Sequence, residues 1–147
     1  MSPGSLPGSQ RSFLDTNILV YAFDNRSPKK RGRADAIIQE SLDTRRGVIS
    51  YQVVQEFLNV ASRGPNPMPT RESRLFLEQV LWPLCEILPD AGLYAIALDV
   101  RDETGWAYYD SLIVGAAVRG GCDILLSEDL QDGRVVRGVE IRNPFKD

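Results

Sequence analysis

A chain of 147 residues with 43% hydrophobic and 25% charged residues fits one domain that can bury its own core. A net charge of −3 and a pI near 5.0 argue against nonspecific nucleic-acid binding over the whole surface, while leaving room for a local basic patch. The absence of histidine removes Ser-His-Asp and Cys-His catalysis, metal-free phosphodiester cleavage by a histidine pair, and nearly all zinc enzymes, so carboxylates or a hard metal ion must carry any chemistry.

Residues 1–11 are polar and rich in Gly, Ser and Pro, and read as a flexible tail ahead of a domain over 12–147. They lack the apolar core of a signal peptide, and no apolar run is long enough to span a bilayer, which gives the expectation of a cytoplasmic protein. Phe13-Leu14 is a short apolar run ending at Asp15, and Asn17 is the expected cap of a helix beginning at Ile18. A polar loop leads into a second helix with Ala34, Ile37, Ile38 and Leu42 at helical spacing. Gly47 breaks that pattern, Val48-Ile49 reads as a strand, and Ser50 as the cap of a helix striped by Val53, Val54, Phe57, Leu58 and Ala61. The proline-rich stretch 64–69 is a loop. A helix is expected from Thr70 to Trp82, a strand over Glu86 to Leu88, and an Asp90-capped helix over Ala91 to Glu103. Asp110 begins a helix whose body, Leu112 to Val118, is apolar all round and therefore buried; Gly120-Gly121 ends it. Ile124 to Leu126 and Val139 to Ile141 are the last strands. Short apolar strands alternating with helices predict an α/β/α sandwich around a short, mostly parallel sheet of four to five strands.

Ligands of open α/β sheets bind beyond the carboxyl ends of the strands. Asp15 ends the first strand, and Asp129 follows the Ile124 strand. Glu56 and Asp110 lie on helices that leave the same rim, so the four acids can converge on one cleft. Two carboxylates about 4 Å apart repel by roughly 4 kcal/mol at an effective dielectric of ~20. Convergence therefore calls for protonation or for a divalent cation, and Mg²⁺ or Mn²⁺ suits all-oxygen ligation. Such an ion can activate water against a phosphodiester; whether one or two ions are needed stays open. Taken singly, each acid also has a plain structural role, as a cap, a turn residue or a solvated helix residue. Cys85 and Cys122 belong to no metal or redox motif and read as buried reduced thiols.

The segments Phe13-Leu14-Asp15-Thr16-Asn17-Ile18-Leu19-Val20, Ser50 to Phe57, Tyr109-Asp110-Ser111-Leu112-Ile113 and Asp123 to Leu130 resemble, in order, the four acidic motifs of PIN domains. By size, the chain is similar to the VapC-type toxins of bacterial toxin–antitoxin pairs. The resemblance implies a Mg²⁺- or Mn²⁺-dependent endoribonuclease, a homodimer, and a small antitoxin that blocks the cleft. It implies Asp15, Glu56, Asp110 and Asp129 as catalytic metal ligands, with Glu128 or Asp132 as alternatives for the fourth. Thr16, Asn17 and Ser127 would orient carboxylates or metal waters. Lys29, Lys30, Arg31 and Arg33 in the basic stretch after the first motif are candidates for gripping RNA phosphates, with Arg134, Arg137 and Arg142 as a weaker second group. A non-catalytic PIN-fold binding module is the competing reading. A haloacid-dehalogenase-like phosphatase fits less well, because Asn17 stands where its second Asp belongs.

Overall fold

The computed structural model describes residues 6–8 and 10–146. Six strands form one sheet in the order β3-β2-β1-β4-β6-β5. They are β1 (Ser12–Leu14), β2 (Gly47–Ser50), β3 (Cys85–Ile87), β4 (Ile124–Leu126), β5 (Val135–Val136) and β6 (Val139–Arg142). All pairings are parallel except β5 with β6. The expected α/β/α sandwich is the observed fold, with one strand more than the upper expectation. The extra strand is β5, a two-residue hairpin partner of β6. Its turn places Arg137 at φ 49° and Gly138 at φ 81°, the left-handed pair that a two-residue hairpin demands.

The helices are α1 (Thr16–Tyr21), α2 (Pro28–Thr44), α3 (Tyr51–Ala61), α4 (Thr70–Phe76), α5 (Trp82–Leu84), α6 (Ala91–Thr104) and α7 (Tyr108–Arg119). Burial follows the sequence pattern. Ala34, Ile37 and Ile38 of α2, Val53, Val54 and Phe57 of α3, and every residue of α7 from Ser111 to Ala117 are buried. The sheet core, Phe13, Leu14, Val48, Ile49, Ile124 and Leu125, is fully sealed. Parallel strands covered on both faces read as continuous apolar runs for this reason.

Several boundaries depart from expectation. Asp15, not Asn17, caps α1; its backbone is extended and its side chain accepts from Thr16 N. Ser50 precedes α3 but makes no side-chain capping bond. The helix expected from Thr70 to Trp82 is interrupted by a π-helical turn over Leu77–Leu81. Pro83 has no N–H and its ring crowds the carbonyl four residues back, so a regular α-helix cannot run through it. Helix α7 begins at Tyr108, two residues before Asp110, which places Asp110 in the first turn, where the helix dipole favours a negative charge.

Of the tail expected over 1–11, residues 1–5 and 9 lie outside the described residues, as does Asp147. Leu6 is buried, its N–H donating to Glu40 Oε2 at 2.6 Å, and Arg11 donates to the Gly120 carbonyl and to Glu86. Cys122 is buried and Cys85 partly so; both are free thiols. Among the described residues no helix is long and apolar enough to cross a membrane.

Candidate functional site

The strand order reverses at β1. The chain steps outward from β1 to β2 and β3, then returns to add β4 on the other side. The crevice between β1 and β4 is therefore the topological switch point, where open α/β sheets bind ligands. Asp15 stands there, immediately past β1, its N–H donating to the Leu126 carbonyl at 3.0 Å.

A web of hydrogen bonds holds the Asp15, Glu56 and Asp129 carboxylates around this point. Asp15 Oδ1 accepts from Thr16 N at 2.8 Å, and Asp15 Oδ2 accepts from Ser127 Oγ at 2.7 Å and, more loosely, from Asn17 Nδ2 at 3.5 Å. Asn17 Nδ2 also donates to Asp129 Oδ2 at 3.1 Å, so one amide spans two carboxylates. Asn17 Oδ1 accepts from Glu128 N at 3.3 Å, and Ser127 Oγ accepts from Asp129 N and Leu130 N. Thr16 Oγ1 donates to Glu56 Oε1 at 3.2 Å. Gln52, one turn before Glu56, donates to the Tyr109 carbonyl at 3.1 Å, which ties α3 to the start of α7 beside Asp110.

The electrostatics match this crowding. Asp15 is 8% exposed, and burial pushes its carboxyl up to about 6; the charges of Glu56 and Asp129 add to the rise, against the bonds from Ser127 and Thr16. Glu56 is also raised, first by burial and further by the charge of Asp110. Electrostatic interaction thus links the four acids pairwise: Asp15 with Glu56 and Asp129, and Glu56 with Asp110. Asp110 and Asp129 are exposed at the rim.

The alternatives for the fourth acid are committed elsewhere. Glu128 accepts from Lys30 Nζ at 2.7 Å and from the Tyr21 hydroxyl. Although burial alone would raise it, those two bonds bring its pKa below the ordinary value. Asp132 accepts from Asn143 N and Lys146 Nζ at the end of the chain.

The basic candidates divide likewise. Lys30 is taken by Glu128 and lies over the Tyr21 and Phe145 rings. Arg31 donates to Asn25, and Arg33 reaches the Pro144 carbonyl at 3.4 Å. Lys29 is exposed at the start of α2. In the second group, Arg137 pairs with Glu103, Arg142 with Glu140, and Arg134 lies 4.8 Å from the Trp106 ring centre. The cleft itself, about 350 Å³, is lined by Thr16, Asn17, Val20, Tyr21, Asp24, Arg26, Glu56, Val60, Glu128 and Asp129. Arg26 lies in the same basic stretch as Lys29, Lys30, Arg31 and Arg33, and no local pattern singles it out. Tyr21 and Gln52 carried no signal as site residues either.

The family model of the PIN domain matches residues 12–135. This chain belongs to the PIN-domain family. No curated protein sequence matches it. The PIN fold is found again in solved structures of low identity. The DNA-bound VapBC from Salmonella typhimurium is similar with a TM-score of 0.65 and 21% identity, over 92% of this chain and 98% of that one. A toxin–antitoxin complex from Klebsiella pneumoniae gives 0.63 and 18%, over 90% and 97%. FitAcB from Neisseria gonorrhoeae gives 0.60 and 19%, over 91% and 98%. The likeness runs nearly the full length of each chain, so this PIN domain carries no large insertion relative to them.

Proposed function

We propose that this PIN domain is a Mg²⁺- or Mn²⁺-dependent endoribonuclease, the toxin of a toxin–antitoxin pair. The observation that carries the reading is the buried Asp15 carboxyl at the switch point, raised to about 6 and faced by two further acids. A buried carboxylate without a cationic partner is costly, and a divalent cation removes that cost.

The donor set fits such an ion. Asp15, Glu56, Asp110 and Asp129 offer only hard oxygen ligands, and the chain has no histidine to favour zinc. Among the described residues no three side chains from Asp, Glu, His and Cys already form a cage. Mg²⁺ and Mn²⁺ do not require such a cage, since they bind through one or two carboxylates and keep several waters. When bound, the ion would supply charge neutralisation and activate water for attack on a phosphodiester.

The chain's own residues prepare the site. Thr16 N and Ser127 Oγ fix both Asp15 oxygens, and Asn17 sets the distance between Asp15 and Asp129. Thr16 Oγ1 orients Glu56. The Lys30–Glu128–Tyr21 contact fastens the turn that carries Asp129.

The toxin assignment, the antitoxin partner and a homodimer rest on the motif resemblance and on the likeness of fold to proteins solved as toxin–antitoxin complexes. The absence of a ready-made cage favours a second reading, a PIN-fold binding module without catalysis. End-group analysis separates the two. The purified chain is incubated with a broad RNA pool in Mn²⁺, Mg²⁺ or EDTA. The nuclease reading expects metal-dependent products with 5′-phosphates and 3′-hydroxyls, water attacking phosphorus as the P–O3′ bond breaks and the 3′-oxygen leaves. Intact RNA in all three conditions, with RNA still bound, supports the module; cyclic 2′,3′-phosphates in EDTA contradict both.

A further inference from the structure

A cleft lined by Asp24, Glu56, Glu128 and Asp129 repels a polyanion unless a cation stands at its mouth. Lys30 does not line the cleft, and its ammonium donates to Glu128 at 2.7 Å and to the Tyr21 hydroxyl at 3.2 Å. Among the described residues lining the cleft, Arg26 is the single cation.

Its placement is specific. Arg26 Nε donates to Asp24 Oδ1 at 2.9 Å and Nη2 to Asp24 Oδ2 at 2.8 Å, a two-point fork. Asp24 is itself fixed, because Oδ1 also accepts the Arg26 backbone N–H at 2.9 Å. The Asp24 side chain is 13% exposed, whereas that of Arg26 is 89% exposed. The carboxylate is thus tucked in, and the guanidinium projects from it into solvent at the cleft. A guanidinium has five N–H donors, and the fork uses two. The edge formed by Nη1 and the second Nη2 hydrogen is left pointing outward. That edge matches the two non-bridging oxygens of a phosphodiester.

We propose that Arg26, pre-set by its fork on Asp24, is a phosphate-anchoring subsite for single-stranded RNA, gripping a phosphodiester beside the one that is cut. Asp24 acts as a positioning residue: it holds the fork in one orientation, so little side-chain freedom is lost when the phosphate docks. The inference rests on the nuclease reading of the acidic site. Arg26 contacts no acid other than Asp24 among the described residues.

The test is steady-state cleavage of a labelled single-stranded RNA with Mn²⁺ from 50 to 250 mM salt, for the wild type, Arg26→Ala, Arg26→Lys and Asp24→Asn. Melting curves are run beside it to establish that each variant is folded. Arg26→Ala is expected to raise KM about five-fold at low salt, with kcat falling less than two-fold. The slope of log kcat/KM against log salt should flatten by about 0.7, the loss of one single-strand phosphate contact. Arg26→Lys should keep that slope while recovering only part of KM, because the charge returns without the fork. Asp24→Asn should raise KM with the slope unchanged. An Arg26→Ala enzyme with unaltered KM and salt slope, in a chain that still cleaves RNA, overturns the subsite and leaves the nuclease reading standing. A fall in kcat at constant KM overturns it as well. Absence of RNA cleavage by the folded wild type with metal overturns both.

Discussion

Replacing Asp15 by Asn should make the metal-free protein more stable and abolish its response to metal. The Asp15 carboxyl is raised from the ordinary 3.8 to about 6, chiefly by burial. At about 1.4 kcal/mol per pH unit, keeping it ionised in the fold costs about 3 kcal/mol at neutral pH. The sign follows from the direction of the shift. An acid whose folded pKa lies above its unfolded value lends full stability below pH 3.8, and that stability is lost as pH rises through about 6. Asn removes the charge, but it cannot accept from both Thr16 N and Ser127 Oγ. Ser127 Oγ already accepts from Asp129 N and Leu130 N, so it is poorly placed to accept from the new amide. The lost bond returns about 1 kcal/mol of the gain. The net expectation is about 1–2 kcal/mol at pH 7.5, or roughly 3–8 °C in melting temperature. Thermal unfolding in EDTA from pH 4.5 to 7.5 measures it. The variant should melt at or below the wild type at pH 4.5 and above it at pH 7.5. A variant less stable by the same margin at every pH would refute the view that Asp15 is a strained, cation-awaiting carboxylate.

Other expectations follow from the same geometry. Saturating Mn²⁺ at a hundred times its Kd should stabilise the wild type by about 2.7 kcal/mol, and Asp110→Asn should diminish the shift seen by calorimetry; an undiminished shift would place the ion elsewhere. Lys30→Met should lower kcat with little change in KM for RNA, since Lys30 fastens the Glu128 turn beside Asp129; a KM effect alone would restore it to the phosphate-binding group. Gly47→Ala should destabilise by about 1–3 kcal/mol or more in urea unfolding, because its Cβ would stand 1.8 Å from the buried Ser41 Oγ. Wild-type stability there would mean that the end of α2 yields more readily than its packing implies.

The strand ends and the buried helix were legible in the chain. Asp15 and Asp129 were placed at one rim by the apolar runs before them, and the unbroken apolar stretch of α7 announced its burial. What escaped was set by contacts distant in sequence. Lys30 looks like an RNA-binding lysine in its own neighbourhood, and only folding brings it to Glu128, 98 residues away. Leu6 sits in a polar, glycine-rich stretch and is drawn down by contacts that no local pattern encodes. Strand β5 has two residues, too few for a period. Arg26 was one arginine in a basic run, and its distinction arises from the Asp24 fork and from the cleft behind it. The expected Asn17 cap failed because Asn17 is occupied by Asp15, Asp129 and the Glu128 N–H.

The most direct test of the central claim is RNA cleavage by the folded chain in Mn²⁺, compared with an Asp15→Asn, Asp110→Asn double variant purified the same way. Cleavage that needs the metal and is lost in the double variant, whose melting curve stays cooperative, is the result the account predicts. Cleavage that persists undiminished in the double variant would contradict it, because the reaction would then owe nothing to the acids at the switch point.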